Sequence, residues 1–121
     1  MDTDTTIDTL RREVLRFRDE RDWKRFHTPK NLAAGLSIEA AELQELFLWK
    51  DDGGIGELLR DERLRTRVGE ELADVLVFLL YLSDACGVDL SDALRRKVRL
   101  NAEKYPVHRS YGSGAKYTEF E

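Results

Sequence analysis

Two acidic pairs of the same spacing, Glu39-x-x-Glu42 and Glu71-x-x-Asp74, sit inside stretches that otherwise read as buried amphipathic helices. At a spacing of three, the two side chains of a pair lie on adjacent turns of one helix face. Packing two such helices together aims four carboxyls into one small volume. Burial and mutual repulsion both oppose ionisation there, so the group stays charged only if a cation holds it. Ligands that are all oxygen, with no Cys or His, select a hard ion. The spacing therefore predicts a Mg²⁺ site held by Glu39, Glu42, Glu71 and Asp74.

The rest of the chain supports helices almost throughout. It has two prolines and is rich in Leu, Glu, Arg and Ala, a composition that favours helix over strand. Steps of three and four through Ile7, Leu10, Val14 and Phe17 predict a first helix over residues 6–22. Pro29 bars a helix from running through the following loop. A second helix is expected over 31–50, with Leu32, Leu36, Leu43 and Phe47 on its buried stripe and Asp51-Asp52-Gly53-Gly54 as its stop signal. A short helical piece is expected over 55–60. A third long helix over 62–85 carries apolar residues around most of its circumference, and is read as the central helix, buried on several sides. A fourth runs from a cap among Asp89 to Ser91 as far as Lys104, closed by Pro106. The expected architecture is an all-α four-helix bundle in one domain over 1–121, completed by dimerisation or tetramerisation. Residues 1–5 and the Gly-Ser-Gly tail over 108–121 read as irregular or mobile.

Composition excludes several functions. The net charge of −4 disfavours a nucleic-acid partner, which calls for a basic surface. The longest apolar run, Val75 to Leu82, is too short to cross a bilayer, so no membrane partner is expected. The opening decapeptide lacks a basic segment and an apolar one, so no signal peptide is expected. A lone cysteine, Cys86, points to a reducing compartment, and the expected location is the cytoplasm.

A Glu-rich helix is often no more than a solvated face. Here Glu71 and Asp74 border the most apolar segment of the chain, and Glu39 and Glu42 lie between Leu36 and Leu43. Ala40, Ala41 and Ala73 leave room for close helix approach. Glu45 extends the first series and is a candidate fifth ligand or water-holding group. A di-iron site would need Glu-x-x-His, and neither His27 nor His108 supplies it. No phosphate-binding glycine loop or nucleophile elbow is present. Trp23 and Trp49 fall near helix ends among charges, where a tryptophan can stack a nucleobase. His27, Lys50, Asn101 and Tyr105 add donors for phosphate, sugar or base. Metal carboxylates, aromatics and cations together describe a nucleotide site.

The segments from Arg21 to Asn31, Ile38 to Lys50, Glu70 to Leu80 and Asn101 to Pro106, with KYTEF in the tail, resemble the MazG-like all-α nucleotide pyrophosphohydrolases, and most closely their dCTP pyrophosphatase branch. The resemblance covers nearly the whole chain. It implies cleavage of a (d)NTP to the monophosphate and pyrophosphate with Mg²⁺, in a homodimer or homotetramer with sites near subunit interfaces. It makes Glu39, Glu42, Glu71 and Asp74 the metal ligands, and Trp23, His27, Trp49, Lys50, Asn101 and Tyr105 substrate contacts. Glu39, Glu42 and Glu45 are the candidates to orient or deprotonate the attacking water. dCTP is the first substrate expectation by resemblance alone, with a modified pyrimidine or a broader (d)NTP range behind it. Val14 stands where that branch carries a polar ring, a departure that bears on the base. The alternative is a helical nucleotide-binding or regulatory module without turnover.

Overall fold

The structure, a computed structural model, describes residues 1–120. It is helical, with no strand among those residues, and divides into two compact units, Met1–Gly87 and Val88–Glu121.

The first unit holds α1 (Ile7–Asp19), a 3-10 turn (Lys24–Phe26), α2 (Pro29–Glu45), α3 (Asp52–Arg60) and α4 (Glu62–Cys86). Each α-helix opens on a side-chain cap. Thr6, Thr28, Asp51 and Asp61 accept from the backbone N–H three residues on, at 3.0, 3.2, 2.8 and 3.1 Å, which satisfies a donor the helix itself leaves free. Pro29 begins α2 at a position whose N–H is not needed. Gly87 ends α4 with φ +65°, a left-handed conformation in which a side chain would be strained.

The acidic-glycine run is a helix start rather than a stop. Asp51 caps α3, and Gly53 and Gly54 lie inside it. The second helix accordingly ends at Glu45, not Lys50. Its last turn tightens into bonds from Phe47 N–H to the Gln44 carbonyl and from Lys50 N–H to the Phe47 carbonyl. Trp49 then takes φ +64°, which no continuing α-helix permits.

Leu32, Leu58, Val68, Leu80 and Tyr81 form the buried centre, drawn from α2, α3 and α4. Each such side chain contributes about 1.5–3 kcal/mol of burial. The expected stripe of the first helix is turned, with Ile7 and Phe17 exposed and Arg18 buried in their place. Arg18 donates to Asp84 on α4 at 3.1 Å and to Asp19 at 2.9 Å. Burial lowers its pKa, but those two carboxylates more than offset this and the net direction is up, so it stays charged. Phe17 is instead roofed by the Arg21 guanidinium, 3.6 Å above its ring.

The long α4 is also less enclosed than its sequence suggests. Leu72, Leu76 and Leu79 are 52%, 41% and 37% exposed, because α1, α2 and α3 pack on its other sides. No helix among the described residues is long and apolar enough to cross a membrane.

In the second unit, Asp89 caps α5 (Leu90–Lys104) and α6 (Val107–Ser110) follows. The tail, expected to be irregular, carries some regular structure. A 3-10 turn, Tyr117–Glu119, sets Tyr117 and Phe120 edge-on to Tyr105, each with centroids 5.8 Å apart. Aromatic edge-to-face pairs of this kind favour that arrangement. At the other end of the chain, Asp4 N–H closes a turn on the Met1 carbonyl at 2.9 Å.

α2 packs against α4 at Gly35, where an added Cβ would run into the Phe78 ring. Gly35→Ala should destabilise the protein by about 1–2 kcal/mol, the overpacking cost exceeding the gain in helix propensity. Thermal unfolding should show a drop of about 4–8 °C, partly recovered by adding Phe78→Leu. An unchanged midpoint would refute the contact.

Candidate functional site

α2 places Glu39 and Glu42 on adjacent turns, and α4 lays Glu71 beside them. One oxygen from each of the three lies within 4.8 Å of the others. Oxygens around one ion are separated by at most twice a metal–oxygen bond, about 4–5 Å, so the three carboxylates can share a cation. Two oxygens of these residues test the fit. Glu39 Oε2 and Glu71 Oε2 are buried with no hydrogen-bond partner in the chain. A buried acceptor without a donor is costly, and a hard cation would satisfy both. The donor set fits a divalent ion.

Electrostatics say the same. The Glu39 carboxyl is pushed up to about 7, first by burial, then by its contact with Glu42 and by the charges of Glu42, Asp74 and Glu71. Glu71 is raised by burial and by Glu42 and Asp74, against which the charge of Arg67 pulls it down. Asp74, one turn after Glu71 on α4, is exposed. It stands outside the tight trio while its charge presses on both Glu39 and Glu71.

A cavity of about 400 Å³ opens beside the trio. Glu42, Glu45 and Glu71 line it together with Lys50 and Arg67, above three leucines. Neither cation closes an ion pair with a carboxylate of the described residues. A second cavity, about 390 Å³, runs along α2 between Ile38, Gln44 and Leu48 and shares Glu42 and Glu45 with the first.

The other expected contacts are spread out. Trp49 is 94% exposed, and Trp23 stands edge-on to Phe17 at 5.7 Å. Neither lines these two cavities. His27 is half-buried, its ring 4.6 Å from that of Tyr81. Burial, then the charge of Arg18, lowers its pKa, and its buried Nδ1 has no partner. It is therefore a neutral imidazole near neutral pH. Asn101 and Tyr105 stand one turn apart at the end of α5 in the second unit.

Arg67 is a cavity residue that sequence reasoning did not place at the site. Its spacing of four before Glu71 was the available signal, since it places both on one face of α4. Gly35 was missed, the small-residue reading having settled on alanines.

The sequence profile of the MazG-like family matches residues 35–120, from the middle of α2 through the second unit. dCTP pyrophosphatase 1 of Rattus norvegicus is 44% identical over 114 residues, spanning 94% of this chain and 67% of that protein. The protein of the same name from Bos taurus is 43% identical over 117 residues, spanning 97% and 69%. A solved pyrophosphatase from Archaeoglobus fulgidus shares the fold with a TM-score of 0.76 at 44% identity, covering 82% of this chain and 91% of that one. With its helices, acidic pairs and sequence all in agreement, this chain belongs to the MazG-like family.

Proposed function

We propose that the chain hydrolyses dCTP to dCMP and pyrophosphate, as a Mg²⁺-dependent pyrophosphohydrolase that adjusts the nucleotide pool. The observation that carries this reading is the pair of buried, partnerless oxygens, one on α2 and one on α4. Two such oxygens in a chain 43–44% identical to proteins named dCTP pyrophosphatase 1 fit a triphosphatase that brings its metal in with the substrate.

Glu39, Glu42 and Glu71 hold the ion, and Asp74 completes the ligand set from the edge. When bound, the divalent ion neutralises charge on the phosphates and eases loss of a proton from water. Glu45 lines the same cavity but lies outside the trio, which supports it as the group that orients the water and accepts its proton. The water oxygen bonds to the α-phosphorus as the bond from phosphorus to the bridging oxygen breaks, and pyrophosphate leaves. Lys50, on the cavity wall, meets the phosphates. Trp23, Trp49, His27, Asn101 and Tyr105 are proposed for the nucleoside end, where aromatic faces stack a base and amide or phenol groups hydrogen-bond it.

The open row of Leu72, Leu76 and Leu79 supports a homodimer or homotetramer, since a contiguous apolar patch ordinarily marks an interface. Unpaired, exposed Cys86 is in keeping with a reducing cytoplasm.

Purified protein should release pyrophosphate and dCMP from dCTP with Mg²⁺ and none with EDTA. Glu42→Gln and Asp74→Asn should each lower kcat at least about 100-fold, roughly 2.7 kcal/mol in the barrier, with helical circular dichroism unchanged. Wild-type rates in both variants would end the assignment.

The raised carboxyls also fix a sign for pH. The folded pKa of Glu39, about 7, exceeds its ordinary 4.5, so its stabilising contribution is full below the ordinary value and is lost as pH rises through 7. Glu71 shifts in the same direction. Because protons and the ion compete for the same oxygens, excess MgCl2 should raise the unfolding temperature more at about pH 8 than at about pH 5.5. Equal Mg²⁺ stabilisation at both values would contradict this.

A further inference from the structure

Arg67 faces the carboxylate cavity and has no part in the mechanism above. It sits one helical turn before Glu71 on α4, at a spacing where Arg and Glu commonly pair on a helix surface. Here no nitrogen of Arg67 lies within 4.0 Å of a carboxylate oxygen among the described residues. Its charge nonetheless reaches Glu71, and its side chain lines the cavity with Glu42, Glu45 and Lys50. The guanidinium is thus held next to the acidic trio with its fork of donors uncommitted.

The chemistry of the cavity says which part of a nucleotide this fork meets. The cavity walls carry carboxylates, two cations and leucines, and no aromatic or amide side chain that would read a base. The cavity therefore suits the phosphate end. The reacting phosphate must lie at the trio and Glu45. Arg67 stands beyond ion-pair distance of those ligands, so its donors reach the phosphates further along. A planar guanidinium binds two phosphate oxygens at once, where an ammonium acts as a point charge. Negative charge grows on the leaving pyrophosphate as the bond to the α-phosphorus breaks, and a fixed cation there stabilises it.

We infer that Arg67 grips the β- and γ-phosphates, so that the site selects triphosphates and holds the departing pyrophosphate. This rests on the pyrophosphohydrolase reading, and its test separates the two. Calorimetry would measure binding of magnesium pyrophosphate, and separately of dCMP, to the wild-type chain and to Arg67→Ala, Arg67→Lys and Arg65→Ala. Steady-state kinetics with dCTP would accompany them. Arg67→Ala should weaken pyrophosphate binding at least about tenfold and raise KM for dCTP by a similar factor, as expected for losing a charge-assisted contact. Affinity for dCMP should stay within about twofold. Arg67→Lys should recover part of the loss, and Arg65→Ala, altered on another face of α4, should match wild type.

Wild-type pyrophosphate affinity in Arg67→Ala would overturn the inference. So would an equal loss of dCMP affinity, which would mark a general electrostatic or structural effect, and so would failure of the wild-type chain to bind pyrophosphate. Absence of dCTP turnover by wild-type protein that does bind pyrophosphate would instead remove the proposed reaction, leaving Arg67 as a pyrophosphate contact.

Discussion

At Gly35 the backbone of α2 comes so close to Phe78 of α4 that a single methyl group would collide with the ring. Glu39 lies one turn further along α2, and Glu71 lies two turns before Phe78 on α4. The approach that glycine permits therefore fixes how near the two acidic helix faces come. A wider spacing would let water between the carboxylates and relax their repulsion. The close spacing leaves oxygens of Glu39 and Glu71 buried and partnerless in the chain, a demand that a bound cation meets for both at once.

That arrangement works against stability in the bare chain. Burial and like charge both raise Glu39 and Glu71, and the charge of Arg67 only partly relieves Glu71. Arg67 and Lys50 stand at the cavity wall rather than in ion pairs. Had either closed on the trio, the carboxylates would have been neutralised internally and the need for an ion removed. Arg18 shows the contrasting solution in the same unit, a buried charge fully engaged by Asp19 and Asp84. The fold thus pairs its charge where α1 docks on α4 and leaves charge unpaired where α2 meets α4. Unpaired charge concentrated in one place is what a functional site looks like when local stability has been given up for binding.

Much of this was legible in the sequence, for identifiable reasons. The acidic pairs stand out because a carboxylate inside an apolar helical pattern needs a partner, and spacing of three fixes which face it occupies. The helix starts at Glu62 and Leu90 fell where expected, but Pro29, read as barring a helix, instead opens α2 behind a Thr28 cap, two residues before the expected start. The run Asp51 to Gly54 misled because the same residues serve as a stop or as a cap, and only the hydrogen bond to Asp51 decides between them. Arg18 was unreadable because its partner Asp84 is distant in sequence. The 3-10 turn of the tail was hidden because Tyr117 and Phe120 pack on Tyr105, a contact that no local pattern announces. The tryptophans illustrate a limit of another kind. Their residue type suits base stacking, but periodicity says nothing of which cavity an exposed side chain such as Trp49 serves.

The geometry of α4 gives a physical reason for function and association to go together. A helix turns by about 100° per residue, so Arg67, Glu71, Asp74 and Phe78 share one face of it. Leu72, Leu76 and Leu79 form a stripe centred about 140° away, more than a third of a turn, and that stripe is open in the single chain. Covering it requires another surface, and a second copy of the same chain carries an identical apolar stripe to offer in return. A partner seated there would stand towards the far side of α4 from the carboxylate face rather than beside it. Covering the stripe would therefore brace from behind the helix that carries Glu71, so that association acts on the carboxylate face through α4 itself.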